Sequence, residues 1–589
     1  MKELLSGNAA IARGAYEFGV TVAAAYPGTP STEILENLVL YPGVYAEWAP
    51  NEKVAVEVGI GASLGGARAL AAMKHVGVNV AADPLMTFSY TGVNAGFVLV
   101  STDDPGMHSS QNEQDNRHYA RFAKIPLLEP SDSQEAKDMV GLALDLSERF
   151  DTPVMLRTTT RVSHSQSLVE IQEPQPRKLK NYSKDIKKNL MLPTYARPRR
   201  IALEKSLTGL KEYAEESPAN RIEWQDRSLG VITSGISYQY VRDVLPGASV
   251  LKLGFTNPLP EQLIRSFAAG VQKLIVVEEL EPFIEEQVRA MGLALAAEGF
   301  IPFTGELDPG ILAAALRNAG MLTSTEGIVQ NGYDLAEAPP VPARPPVLCP
   351  GCSHRGVFYA LRRLKLNVSG DIGCYTLGGL PPLEAMDSNI CMGASIGVAH
   401  GIGKANPTLD ARTVAVIGDS TFLHSGITGL LDVVYNKGNA TVVILDNRTT
   451  AMTGHQHHPG TGRTLAGEPA PAVDLQALVR ALGVKRVRMI DPLNLAETET
   501  AIAEEIAASE PSVIIADKPC ALLTRAARPA VRVQAEKCTG CRICTRIGCP
   551  AISIKDKRAL VDAAVCTGCN LCLQVCREGA LVKGEEKHA

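Results

Sequence analysis

Asp419 and Asn447 are the first residues whose type and spacing suggest chemistry. Each follows an apolar β-branched run: Thr413-Val-Ala-Val-Ile417 stops at Gly418-Asp419-Ser420, and Thr441-Val-Val-Ile-Leu445 stops at Asp446-Asn447. Such runs read as buried strands, and the amphipathic stretch between them, up to about Asn436, reads as a helix. If the strands are parallel neighbours, both polar residues emerge at carboxyl-end loops of one sheet, where α/β ligand sites form. One carboxylate, one amide oxygen and a nearby backbone carbonyl make a hard oxygen set suited to Mg²⁺ bridging a diphosphate. The Gly418 turn lets backbone N–H groups approach the phosphates. Taken alone, Gly-Asp-Ser reads more simply as a strand-to-helix turn with a surface aspartate.

The cysteines are the second group. Of thirteen, eight fall between Cys538 and Cys576. Cys538, Cys541 and Cys544 precede Cys549, and Cys566, Cys569 and Cys572 precede Cys576. Two C-x₂-C-x₂-C runs, each with a later fourth cysteine, form the pattern of a two-cluster bacterial ferredoxin. There the fourth cysteine of each run ligates the other cluster. Cys538, Cys541, Cys544 and Cys576 would hold one [4Fe–4S] cluster, and Cys549, Cys566, Cys569 and Cys572 the other. Zinc would require two pairs of thiolates, and triplets at three-residue spacing wrap a cubane better. The first run has four residues before Cys549, and Arg577 stands where proline is common. Cys349-Pro-Gly-Cys352 is a further pair, ambiguous among zinc, redox and iron–sulfur roles. Cys374 and Cys520 stand apart from it, and Cys391 reads as a buried free thiol.

These residues need several domains to position them, and 589 residues with 45% hydrophobic content supply enough chain. A net charge of −5 argues against general nucleic-acid binding. The opening residues are too sparsely apolar for a signal peptide and no run approaches a membrane span, so a soluble cytoplasmic protein is expected. Residues 1–165 alternate helix and strand: a helix over 5–18, a strand over 20–25, and Tyr26-Pro-Gly-Thr-Pro-Ser-Thr32 leading into a helix from Glu33. Asn51-Glu52 then opens a helix of small residues suited to close packing. Glu52 alone reads as a first-turn acid favoured by the helix dipole, and Thr29 as a turn hydroxyl. Residues 101–115 form a polar loop after a strand. Residues 177–200 carry nine Lys or Arg against the single acid Asp185, which reads as a solvated linker or, failing that, a docking surface. A compact α/β segment spans 229–331, and the proline-rich run 336–346 reads as a stiff linker.

Gly418-Asp419-Ser420 and Asn447 resemble the G-D-G…N metal-diphosphate motif of thiamine diphosphate (TPP) enzymes, with Ser420 in the third position. Ala451-Met-Thr-Gly-His-Gln456 resembles the M-T-G-G-Q segment of 2-oxoacid:ferredoxin oxidoreductases, with His455 replacing a glycine. Tyr26-Pro-Gly-Thr-Pro-Ser-Thr32 followed by Asn51-Glu52 resembles the pyrimidine-binding domain of the same family. Along its whole length the chain resembles the large (alpha) subunits of the family's indolepyruvate-oxidising branch.

The resemblance implies an α/β multidomain TPP-binding fold with a ferredoxin-like 2×[4Fe–4S] tail. Its expected order is a pyrimidine domain (1–165), basic linker (166–227), transketolase C-terminal-like domain (228–332), linker (333–346), diphosphate domain (347–528) and ferredoxin-like domain (529–589). It implies that Glu52 hydrogen-bonds N1′ of the aminopyrimidine, a task needing a carboxyl group shielded from water, with Glu57 the nearest competitor. It places Thr29 near the substrate carboxylate; Gly418, Asp419, Ser420, Asn447, Thr449 and Met452 on TPP; and Asp419, Asn447 and Thr449 on Mg²⁺. Cys349, Cys352, Cys374 and Cys520 would hold a third [4Fe–4S] cluster near TPP. The implied reaction is oxidative decarboxylation of arylpyruvates such as indolepyruvate, with coenzyme A as acyl acceptor and ferredoxin as electron acceptor. A small beta subunit in an α2β2 complex is the implied partner. The competing functions are a non-oxidative TPP decarboxylase and an electron-carrying scaffold whose TPP site has degenerated at Ser420 and His455.

Overall fold

A computed structural model describes residues 1–176, 179–182, 184–322, 344–524 and 528–585. The expected proline-rich linker lies outside the described residues except for its last three. The chain forms two compact units, Met1–Ala338 and Pro339–Ala589.

The first unit is built on a seven-stranded sheet. Its order is Phe255–Asn257, Leu127–Leu128, Val154–Thr159, Phe97–Asp103, Ala69–Lys74, Val22–Ala25 and Tyr45–Trp48. All neighbours are parallel except the first pair. Alanine-rich central strands let the helix Glu52–Leu64 approach closely. A Cβ on Gly59 would come within 2.4 Å of the Phe97 ring, so only glycine fits there. A second sheet orders Lys273–Val277, Asp226–Ser234, Ala248–Leu253 and Arg221–Glu223, with only the last antiparallel. Buried charges join the parts of this unit: Arg117 reaches Glu278 at 2.5 Å and the Asp115 carboxylate, while Arg157 reaches Asp103 at 2.7 Å and Glu129 at 2.5 Å.

Two expectations for this unit need correction. The first helix is Gly7–Glu17, shorter than 5–18, because Lys2–Ser6 is a strand paired antiparallel with Gln166–Glu170. That pairing is non-local and leaves little periodic trace. The basic segment is also no solvated linker throughout. Pro193–Glu215 is a helix that buries Leu203, Leu210 and Ala214. Its Ser206 hydroxyl donates to Phe150 O at 2.7 Å, and Arg199 and Lys188 converge on Asp151 at 2.8 and 2.7 Å. Lys188 and Arg199 therefore tie the segment to its own unit, and three buried residues over this length are too sparse for a periodicity to show.

The second unit carries a six-stranded parallel sheet. Its order is Ser388–Asn389, Asn367–Gly370, Thr413–Gly418, Thr441–Asp446, Ser512–Asp517 and Arg486–Ile490. The expected parallel pairing of the two motif strands is present, with Ile417 opposite Ile444 and Gly418 opposite Leu445. Burial on both faces explains their unbroken apolar runs. The cysteine-bearing tail pairs Arg532–Val533 with Leu581–Val582 and Ile552–Lys555 with Arg558–Val561, and each cysteine run enters a short 3₁₀ turn. The tail shares a core with the sheet: Ile547, Leu571 and Val575 belong to one apolar cluster with Leu348, Phe358 and Ile502.

Candidate cofactor sites

Asp419 and Asn447 meet at one place. Asp419 opens the short helix Asp419–Thr421 at the end of its strand and is 3% exposed. Its Oδ2 accepts from the Arg448 N–H at 2.8 Å and lies 3.1 Å from His458 Nε2. Gly460 N–H donates to His458 Nδ1, so the ring proton sits on Nε2 and is donated to Asp419. Asn447 Nδ2 donates to His354 Nε2 at 3.3 Å, while Asn447 Oδ1 accepts from Thr449 N–H. Burial pushes His354 down to about 4, so it is neutral near pH 7 and can accept; Asp419 opposes that shift, placing both motif side chains around one imidazole. Burial and Asp419 together push the neighbouring Asp446 up to about 7. The Asp419 carboxylate and the Asn447 amide oxygen, with the backbone carbonyl of Thr449 beside them, are hard oxygen donors of the kind Mg²⁺ takes.

The surrounding motif residues fall close by. A Cβ on Gly418 would lie 2.8 Å from the Tyr375 ring, which restricts that turn to glycine. Ser420 is buried and its hydroxyl accepts from Thr450 at 2.9 Å; Thr449 is buried, and Met452 is 44% exposed. His455, which replaces a glycine of the M-T-G-G-Q segment it resembles, adopts φ 70°, a left-handed conformation that glycine takes without strain. Its Nε2 lies 3.8 Å from Cys520 Sγ. His354, His458 and Asp446 were not among the expected site residues; only His354, inside Cys-Pro-Gly-Cys-Ser-His, had a sequence context that could have flagged it.

In the first unit, Glu52 is 4% exposed at the start of its helix, capped by Asn51 Oδ1, which accepts from Val54 N–H at 3.0 Å. Glu57 is exposed and paired with Lys53, so of the two acids only Glu52 is shielded from water. A Cβ on Gly77 would lie 2.8 Å from Glu52 Oε1. Thr29 is half-buried and precedes a cis bond to Pro30. Lys74 lies near Gly28, Glu52 and Asp104, and burial lowers it to about 8. Its ammonium donates to Ser109 O at 2.8 Å, which ties down the polar loop 101–115.

The cysteines sort into three sets. Cys549, Cys566, Cys569 and Cys572 line one cavity; Cys538, Cys541, Cys544 and Cys576 line another. In both, the fourth cysteine of one run joins the first three of the other, the crossed arrangement expected from spacing. Backbone N–H groups of Ala559 and Ala580 donate to Cys538 Sγ and Cys576 Sγ at 3.3 and 3.2 Å. In the third set, Cys374 interacts electrostatically with Cys349, Cys352 and Cys520. Burial pushes the thiols of Cys352, Cys374 and Cys572 up to about 12, 11 and 12. Among the described residues no three His, Cys, Asp or Glu side chains converge closely enough for a single metal ion. Sulfurs ringing a cavity match a polynuclear cluster better than zinc. Cys391 is exposed, not buried as expected, because it lies on a loop before the helix Ala394–Ala405.

The family described as thiamine pyrophosphate enzyme, C-terminal TPP binding domain, matches residues 371–516. The family described as pyruvate flavodoxin/ferredoxin oxidoreductase, thiamine diP-binding, matches residues 13–223. The indolepyruvate oxidoreductase subunit IorA of Archaeoglobus fulgidus is 44% identical, over 98% of this chain and 97% of its own length. That of Pyrococcus horikoshii is 42% identical, over 99% and 97%. A solved 2-oxoglutarate:ferredoxin oxidoreductase from Magnetococcus marinus aligns at TM-score 0.46 and 16% identity, over 54% of this chain and 65% of that one. Among the described residues no helix is long and apolar enough to cross a membrane. With near-complete coverage at such identity, the chain belongs to the family of indolepyruvate oxidoreductase IorA subunits, α/β multidomain proteins of the TPP-dependent 2-oxoacid oxidoreductases.

Proposed function

We propose that this chain is the large subunit of a cytoplasmic enzyme that oxidatively decarboxylates arylpyruvates, indolepyruvate among them, to acyl-coenzyme A and CO₂. Electrons pass through [4Fe–4S] clusters to ferredoxin. The observation that carries the reading is a single hydrogen bond: Cys520 N–H donates to the Asn447 carbonyl at 3.0 Å. A candidate cluster ligand is thereby fastened to a candidate Mg²⁺ ligand, bringing the electron source beside the first acceptor. Support for an arylpyruvate substrate comes from the full-length relatives, which are named for indolepyruvate.

Bound TPP supplies a carbanion nucleophile and, after CO₂ leaves, an electron sink. Asp419, Asn447 and the Thr449 backbone would hold Mg²⁺, and the Gly418 turn with Ser420 would offer N–H groups to the diphosphate. His458 and His354 orient those oxygen ligands from behind. Glu52 would hold the proton shared with N1′, Thr29 would face the substrate carboxylate, and Met452 would pack on the cofactor. The tail is read as a ferredoxin-like domain with two clusters, and Cys349, Cys352, Cys374 and Cys520 as ligands of a third. The division at 1–165, 166–227, 228–332, 333–346, 347–528 and 529–589 belongs to this reading. A small beta subunit completes an α2β2 complex.

The test is an anaerobic assay of the two-subunit complex. Ferredoxin reduction should require indolepyruvate, coenzyme A and TPP together. Turnover that persists without coenzyme A would make the enzyme a simple decarboxylase. Intact clusters with no turnover on any arylpyruvate would reduce the chain to an electron-carrying scaffold.

A further inference from the structure

Arg355 immediately follows His354 in the first turn of the helix His354–Leu364 and is 2% exposed. Its Nη1 donates to Ile547 O at 2.8 Å, and its Nη2 to Leu348 O at 2.6 Å and Cys349 O at 3.0 Å. Its Nε has no hydrogen-bond partner, and among the described residues it forms no ion pair with a carboxylate. A guanidinium keeps its charge in any protein environment, so a full positive charge is buried here against neutral carbonyls. Such burial is costly unless an anion lies nearby.

The groups that can supply that anion are sulfurs of two different sets. Arg355 donates to the carbonyl of Cys349 and to that of Ile547, two residues before Cys549, so it stands beside the backbone of both sets. It lines the cavity of the Cys549 set together with Pro350, Gly351 and Cys352. The two loops press together there: a Cβ on Gly351 would lie 2.3 Å from Thr567 Oγ1, and one on Gly548 would lie 3.1 Å from Arg355 Nη1. The cavity of the Cys538 set has no such contact with Arg355. A [4Fe–4S] cluster with four thiolates is anionic and gains one more negative charge on reduction, so a fixed cation stabilises the reduced form more and raises the potential.

We propose that Arg355 is the shared counter-charge of the Cys349/Cys352/Cys374/Cys520 and Cys549/Cys566/Cys569/Cys572 clusters, raising both reduction potentials and making them neighbouring steps of the electron path. With both clusters bound, one electron would pass from the first, leaving it oxidised, to the second, leaving it reduced, with no bond or proton moved. The proposal rests on the three-cluster reading above.

The test is an EPR-monitored redox titration of the anaerobically purified complex, with Arg355→Lys and Arg355→Gln compared at equal iron content. Gln removes the charge while keeping amide donors for the carbonyls; Lys keeps the charge. Arg355→Gln should lower two of three midpoints by about 59 mV or more each, a tenfold fall in the reduced-to-oxidised ratio at fixed potential. The third midpoint should stay in place, and Arg355→Lys should resemble the wild type. Unmoved midpoints in Arg355→Gln, equal shifts in both variants, or loss of iron from both would overturn the proposal and leave Arg355 a structural tie. Wild-type iron near eight atoms per chain would instead overturn the third cluster itself, a result obtained before any variant is made.

Discussion

Glu52 is buried in the first unit, where a Cβ on Gly77 would collide with its carboxyl group. Glu52→Gln preserves shape and removes the acid. With TPP and Mg²⁺ saturating, turnover should fall by roughly 10²- to 10⁴-fold while calorimetric affinity for TPP changes little. Turnover within tenfold of wild type would reject the assignment. In the second unit, His458→Ala removes the ring that donates to Asp419 Oδ2. Affinity for Mg²⁺, followed by the concentration needed to quench protein fluorescence with TPP, should weaken about 10- to 100-fold. An unchanged requirement would mean that Asp419 is held without His458.

At the scale of elements, the helix Pro193–Glu215 and the short helix His75–Val80 each make a measurable contribution to the first unit. Leu210 is 1% exposed, so Leu210→Ala should cost about 2–5 kcal/mol in a denaturant titration, whereas a solvated linker would lose almost nothing. His75 is fully buried; burial first, and Lys74 second, lower it from 6.5 to about 4. Above pH 6.5 the folded and unfolded states both carry it neutral, and its contribution is complete. Between pH 6.5 and 4 the unfolded chain takes up a proton that the fold excludes, so stability is lost as the pH is lowered, by about 3 kcal/mol in all. His75→Gln should flatten this acid limb in melting curves taken across that window; a parallel limb would rule His75 out as its source.

For the whole molecule, the consequential feature is that the cysteine tail and the six-stranded sheet share a core. Gln574 strengthens the junction: its Nε2 donates to Leu493 O at 2.7 Å, and its Oε1 accepts from Leu495 N–H at 2.9 Å. A chain ending at 528 would uncover Leu348, Phe358 and Leu361, each now at most 4% exposed. It should aggregate or melt well below the full chain, where a tethered independent module could be removed without harm. The full chain should carry about twelve iron atoms when isolated without oxygen, four for each cysteine set.

Short-range chemistry was legible in the residues themselves. Cysteine triplets at three-residue spacing point to candidate cluster ligands because a cubane would constrain its ligands through loop spacing, and the structure gathers each proposed crossed set of four around one cavity. The Asp419 and Asn447 loops could be placed because doubly buried parallel strands leave unbroken apolar runs that stop where the ligand loops begin. The tertiary structure alone decided which acid is shielded, since Glu52 and Glu57 occupy the same helix and differ only in what packs over them. It also decided the orienting histidines, the strand Lys2–Ser6 and the place of Arg355, whose partners lie far along the chain. Local pattern encodes periodicity and loop spacing; burial and hydrogen-bond partners depend on which distant segments fold against a residue, and that is settled by packing of the whole chain.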